Sequence, residues 1–137
     1  MTMVDESTTQ VLAKQYVEFI ETGQAPEALF HPDAFLDFTS PQWRQQVAGG
    51  ISLVAARNRL HPPPNTVPRW RYDPTPTGFV IEWEEQWVEG GQNMYCREMA
   101  RADVQDGAII NLSVYCTGDW DEALVARHAR EVTLLRP

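Results

Sequence analysis

FVIEWEEQWVEGGQNMYCREMARADVQDGAIINLSVYC, residues 79–116, reads as three strands joined by two tight turns. Side chains alternate between the two faces of a strand. Over 79–88 one face carries Phe79, Ile81, Trp83, Glu85 and Trp87, and the other Val80, Glu82, Glu84, Gln86 and Val88. Over 93–104 the apolar face carries Met94, Cys96, Glu98, Ala100, Ala102 and Val104. Over 109–117 it carries Ile110, Leu112, Val114 and Cys116. A two-residue loop at Gly90-Gly91 pairs Glu89 with Gln92. Trp87 then faces Met94, Glu85 faces Cys96 and Trp83 faces Glu98, so the apolar faces coincide as one core side requires. At the second turn a two-residue loop, Asp106-Gly107, gives the wrong parity. A three-residue loop, 106–108, restores it and sets Ala102 opposite Leu112 and Glu98 opposite Cys116.

This register places two glutamates, Glu85 and Glu98, on the apolar side of one sheet as diagonal neighbours, about 7–8 Å apart at the backbone. An ionised carboxylate is rarely buried unpaired. Neither glutamate has a Lys or Arg on its own face of these strands. Burial and mutual repulsion are then expected to raise at least one pKa and poise it for proton transfer. Glu85 and Glu98 are the candidate catalytic pair.

Upstream, the period changes from 2 to 3.6. Val11, Leu12, Tyr16, Phe19 and Ile20 form a helical stripe capped at Ser7 and ended by Thr22-Gly23. Tyr16 lies on that stripe, and its hydroxyl needs a partner that a carboxyl could supply. A short helix is expected over 26–29, with Pro26 in its first turn. A strand is expected over 34–39. A third helix is expected over 43–60, with Val47, Ile51, Val54 and Ala55 on one face. It stops at His61 before Pro62-Pro63-Pro64, which reads His61 as a solvated helix end or as a pocket-rim residue. A further strand is expected over 67–72. A final helix over 120–130 would take Asp119 as its N-cap. Helices first and an antiparallel meander afterwards describe an α+β fold. Without repeat or linker, residues 1–137 read as one domain.

Composition narrows the function. The 137 residues carry 11 Lys+Arg and 19 Asp+Glu, a net charge of −8, which disfavours nucleic acid and anionic membrane as partners. No run approaches the length of a membrane span, and residues 1–6 lack a basic signal-like region, so a cytoplasmic protein is expected. Cys96 and Cys116 fit no zinc spacing or disulfide framework and read as packing thiols. His31, His61 and His128 are far apart, and no metal or cofactor motif is present, so no cofactor is expected.

Three segments carry a resemblance: Tyr16-Val17-Glu18-Phe19-Ile20 with Thr22-Gly23; Leu29-Phe30-His31-Pro32-Asp33-Ala34; and Asp106-Gly107-Ala108-Ile109-Ile110 leading into Val114-Tyr115. With them, residues 8–120 resemble the NTF2-like superfamily and its SnoaL-like group of polyketide cyclases, steroid isomerases and limonene-epoxide-hydrolase-like proteins. The resemblance implies a cone: a strongly curved antiparallel sheet whose apolar pocket is closed by N-terminal helices. It also implies a cofactor-free enzyme or binding module and a homodimer through the outer sheet face. Tyr16 matches the pocket tyrosine of the steroid isomerases, and Glu98 matches their strand acid with one residue gapped. Phe38 stands at their general base. Glu85 matches the first Asp of the Asp–Arg–Asp set of the epoxide hydrolases, where Trp83 and Val114 replace the other two. Leu112 and Val114 replace the His and Asp of the cyclases.

The reading is therefore an acid–base enzyme that cyclises, isomerises or dehydrates a polyketide- or terpenoid-like molecule. Glu85, Glu98 and Tyr16 are its catalytic residues. Phe38, His61, Phe79, Ile81, Trp83, Trp87, Met94, Cys96, Leu112, Val114 and Cys116 are its substrate-binding residues. Epoxide hydrolysis, epoxide-opening cyclisation and non-catalytic binding are the alternatives.

Overall fold

A computed structural model describes residues 3–137. The first helix, α1, spans Glu6–Thr22 and buries Leu12, Ala13, Tyr16, Val17, Phe19 and Ile20. Its cap is Asp5, whose carboxylate accepts from the Ser7 amide at 2.7 Å, not Ser7 itself. Gly23 ends it in left-handed backbone, φ 76°. A Cβ there would lie 2.6 Å from Pro63 Cγ, so glycine also lets the post-helical loop rest against the end of α1. Asn65 Nδ2 donates to the Ile20 carbonyl at 3.0 Å, and Asn58 Nδ2 to the Gly23 carbonyl at 2.9 Å. These bonds fix the segment that carries His61.

The middle of the chain departs from the sequence reading. Residues 26–29 form a turn with Ala28 at φ 65°, too short to sustain a helix nucleus. Phe30–Ser40 is β1. The expected helix over 43–60 divides: Trp43–Ala48 is a strand, β2, paired antiparallel with β1, and only Gly50–Leu60, α2, is helical. Gly49, at φ 100°, makes the break. The buried face of α2 is Leu53, Ala56 and Arg57; Ile51, assigned to the core from sequence, is 90% exposed.

The other elements are β3 (Trp70–Thr75), β4 (Gly78–Glu89), β5 (Gln92–Gln105), β6 (Ala108–Cys116) and α3 (Glu122–Glu131). They complete a curved six-stranded sheet in the order β2-β1-β6-β5-β4-β3. The β1–β6 pairing is parallel, so the sheet is mixed. These two strands are far apart in sequence, and no hairpin forces them antiparallel. The first long hairpin has the expected register, including Glu85–Cys96 and Trp83–Glu98. The second reaches its expected pairs, Ala102–Leu112 and Glu98–Cys116, by another route. Its loop is two residues, Asp106 at φ 54° and Gly107 at φ 77°. Ile110 is then left over between Asn111 and Ile109, and this bulge restores the parity. Ile109 is consequently buried in place of Ile110.

The core joins Tyr16 and Phe19 of α1 and Leu53 of α2 to Phe79, Ile81 and Trp83 of the sheet. α3 starts two residues later than expected, with Asp121 as its cap. Trp120 bridges instead to Tyr95, which leaves Asp119 free for another role. Among the described residues no helix is long and apolar enough to cross a membrane.

Candidate active site

Strand alternation carries Glu85 and Glu98 to the inner face, where they are 0% and 4% exposed. The structure corrects the expectation that no basic group meets them. Arg57, reaching in from α2, ion-pairs with Glu85 Oε1 and lies 3.7 Å from Glu98 Oε1. His61 stands on the other side. Its Nδ1 is 2.8 Å from Glu85 Oε2 and 3.1 Å from Glu98 Oε1. Its Nε2 is 2.8 Å from Asp119 Oδ1. Trp83 Nε1 donates to Glu85 Oε1 at 2.8 Å, and Trp87 stacks on the imidazole with ring centroids 4.1 Å apart. His61 is thus buried within the site and is not at its rim.

These contacts reverse the electrostatic expectation for Glu85. Burial pushes its carboxyl up, but the charge of Arg57 and the hydrogen bonds of His61 outweigh burial and bring it to about 2. Burial opposes the charge on Arg57 and His61 as well. The two glutamates overcome it at Arg57, and hydrogen bonds led by Asp119 overcome it at His61, so both cations are held well above their ordinary values. Glu85 is therefore an ionised anchor and not a carboxyl poised near neutrality.

Tyr16 is buried, and its hydroxyl has no hydrogen-bond partner. Burial raises its pKa, only partly offset by Arg57, so it stays a neutral donor. Arg57 Nε and Glu98 Oε2 are also buried without partners. Cys96 Sγ donates to Glu98 Oε1 at 3.4 Å. Cys116 is pulled down to about 6, chiefly by the Cys96 thiol and, against burial, by His61. Cys96 is a buried, protonated thiol, as a packing group would be, and Cys116 differs from it.

Beside this cluster lies an open groove of about 2050 Å³ across the outer sheet face, bordered by α3 and the C-terminal segment. Trp83, Trp87, Met94, Cys116 and Glu98 border it, but the Glu98 side chain is fully buried on the inner face. The other sequence candidates lie elsewhere. Phe38, Phe79, Ile81, Leu112 and Val114 are packed core, and Cys96 is buried beside Glu98. Arg57 escaped the sequence reading because α2 was phased from Val47 and Ile51. The signal was the spacing of Leu53, Ala56, Arg57 and Leu60, an apolar stripe with one cation in it.

No family model matches the chain, and no curated protein matches it. Solved structures do. An NTF2-like protein from Anabaena variabilis is similar at TM-score 0.67 and 16% identity, covering 87% of this chain and 96% of that one. An NTF-2 like protein of unknown function from Burkholderia xenovorans is similar at TM-score 0.59 and 16% identity, covering 95% and 97%. An LEH-like epoxide hydrolase from M. tuberculosis is similar at TM-score 0.61 and 12% identity, covering 80% and 83%. The fold is NTF2-like.

Proposed function

We propose that this chain is an acid–base enzyme acting on a small, largely apolar molecule of the polyketide or terpenoid kind, by cyclisation, isomerisation or dehydration. One observation carries the reading: Tyr16 Oη, Arg57 Nε and Glu98 Oε2 are buried without partners on the inner side of the sheet, where Arg57 lies 3.7 Å from Glu98. An orphaned buried polar atom costs about 1–3 kcal/mol, so three in one cluster favour a polar guest. A substrate oxygen accepts from Tyr16 Oη and Arg57 Nε as charge develops on it, and Glu98 Oε2 takes the proton. Glu85 holds Arg57 and His61 in place and transfers no proton.

Epoxide opening is the second reading. The order Glu85–Arg57–Glu98 is a carboxylate–guanidinium–carboxylate row, and a structural neighbour is an LEH-like epoxide hydrolase. There Glu98 directs a water and Tyr16 protonates the ring oxygen. The exposed Met99 and Tyr115 on the outer face support a homodimer, which sedimentation would test.

The experiment is turnover of polyketide-like ketones and terpene epoxides by wild type, Glu98→Gln and Tyr16→Phe. Loss in both variants with the fold retained is expected. Full activity of Glu98→Gln ends the reading, and tight binding without turnover by the wild type identifies a binding module instead.

A further inference from the structure

The proposed chemistry leaves both thiols unused. In the fold they complete a cluster: a ring nitrogen of His61, Sγ of Cys96, a carboxylate oxygen of Glu98 and Sγ of Cys116 all lie within 4.8 Å of one another. Cys96 is buried and Cys116 half-buried. We propose that these four side chains bind one thiophilic divalent ion of zinc's class, at a site that shares His61 and Glu98 with the acid–base centre.

Four features argue for it. The first is spacing. A tetrahedral ion with bonds of about 2.0–2.3 Å holds its donors about 3.3–3.8 Å apart. His61 Nδ1 and Glu98 Oε1 are 3.1 Å apart, and Cys96 Sγ and Glu98 Oε1 are 3.4 Å apart, so they stand within a few tenths of an ångström of that separation. The second is the outer shell. His61 Nε2 is held by Asp119 at 2.8 Å, which orients the ring and leaves Nδ1 for the ion. The third is charge. A divalent ion offsets two of the three negative charges that two thiolates and Glu98 would carry there, Arg57 being already paired with Glu85.

The fourth is what the thiols cannot do as easily. Glu98 is the residue opposite Cys116, so Cys96 is its diagonal neighbour. Diagonal Cα atoms lie about 7–8 Å apart, beyond the roughly 4.4–6.8 Å that a disulfide spans. An ion between the sulfurs bridges that gap without moving the strands. Two sulfurs with one imidazole select zinc or cobalt over calcium and magnesium.

Binding displaces the thiol protons and the proton on His61 Nδ1. Glu85 then loses its His61 contact and keeps Arg57 and Trp83. Because the ion takes Glu98 Oε1 and His61, it silences the proposed proton chemistry. That consequence rests on the functional reading above; the site itself does not.

The test is titration of the reduced, chelator-stripped full chain with Zn²⁺ alone and with Co²⁺ alone. One ion per chain is expected, with the thiolate-to-cobalt charge-transfer absorption of a tetrahedral centre. Cys96→Ser and Cys116→Ser should each abolish that absorption or weaken binding at least about tenfold, and Asp119→Asn should weaken it about 10–100-fold. If Cys96→Ser does not fold, Cys116→Ser and Asp119→Asn decide the matter, since neither side chain is fully buried. Absence of stoichiometric binding by the wild type, or undiminished affinity in Cys116→Ser and Asp119→Asn, overturns the site. Stoichiometric binding alongside an active Glu98→Gln would sink the acid–base reading and leave the metal site standing.

Discussion

Replacing Arg57 with methionine removes a buried charge at nearly constant volume and leaves Glu85 with His61 and the Trp83 indole. The Glu85 carboxyl, held at about 2 against an ordinary 4.5, shows that its partners outweigh burial. Breaking a buried pair from one side costs about 3–5 kcal/mol, so Arg57→Met should lose about 3–5 kcal/mol at pH 6. The sign with pH follows from the lowered pKa: the Glu85 contribution is complete above 4.5 and is lost as pH falls toward 2. The wild type should therefore lose stability steeply across that window. In Arg57→Met burial acts on Glu85 against only His61 and the Trp83 indole, so the variant should lose less on acidification and the two curves should converge. The assay is urea unfolding followed by the fluorescence of the five tryptophans, at pH 3 to 6 with a chelator present. The double variant Arg57→Met/Glu85→Gln should be less destabilised than the sum of the singles. Curves that stay parallel down to pH 3, or additive singles, would refute the claim that Arg57 and Glu85 act as a pair.

Four further outcomes can be checked. Glu98→Gln should lower kcat/KM on any accepted substrate by about 10²–10⁴-fold, the usual worth of a general base, while circular dichroism stays native. Trp87→Ala should cost about 3–5 kcal/mol in urea unfolding, since it removes the ring stacked on His61. Leu53→Ala should cost about 2–5 kcal/mol and Ile51→Lys less than about 0.5, because only Leu53 is on the buried face of α2; equal losses would restore the helix phase read from the sequence. Gly78→Ala should cost about 1–3 kcal/mol or more, because its Cβ would lie 2.0 Å from the Ala102 carbonyl oxygen.

The sheet was legible where local chemistry determined it. Strict alternation along β4 and β5, with the Gly90-Gly91 turn between them, admits one register that puts Trp83, Glu85 and Glu98 on a common side. What escaped depended on events outside that hairpin. Residues 43–48 carry Trp, Arg, Gln and Val in an order compatible with either period, and pairing with β1 decided for strand. The bulge at Ile110 and the two-residue loop compensate each other, so pairing alone gave the right partners through the wrong loop.

Glu85 and Glu98 do meet, and the cation between them was missed for a reason that can be turned into a rule. Two carboxylates on an apolar face leave two ways of removing an unaffordable charge: neutralise by protonation, or import a cation. A cation on the same strands would have shown at once, and its absence favoured protonation. But a sheet face is covered by helices, and the cation can ride on any of them. Arg57 is the one charged side chain of the Leu53, Ala56, Arg57, Leu60 stripe, and His61 follows at the helix end with Asn65 holding its carbonyl. An apolar helical stripe interrupted by a single arginine and a buried strand interrupted by a single glutamate are each costly alone. Found in one small α+β chain, they are best assigned to each other before either is assigned a chemistry.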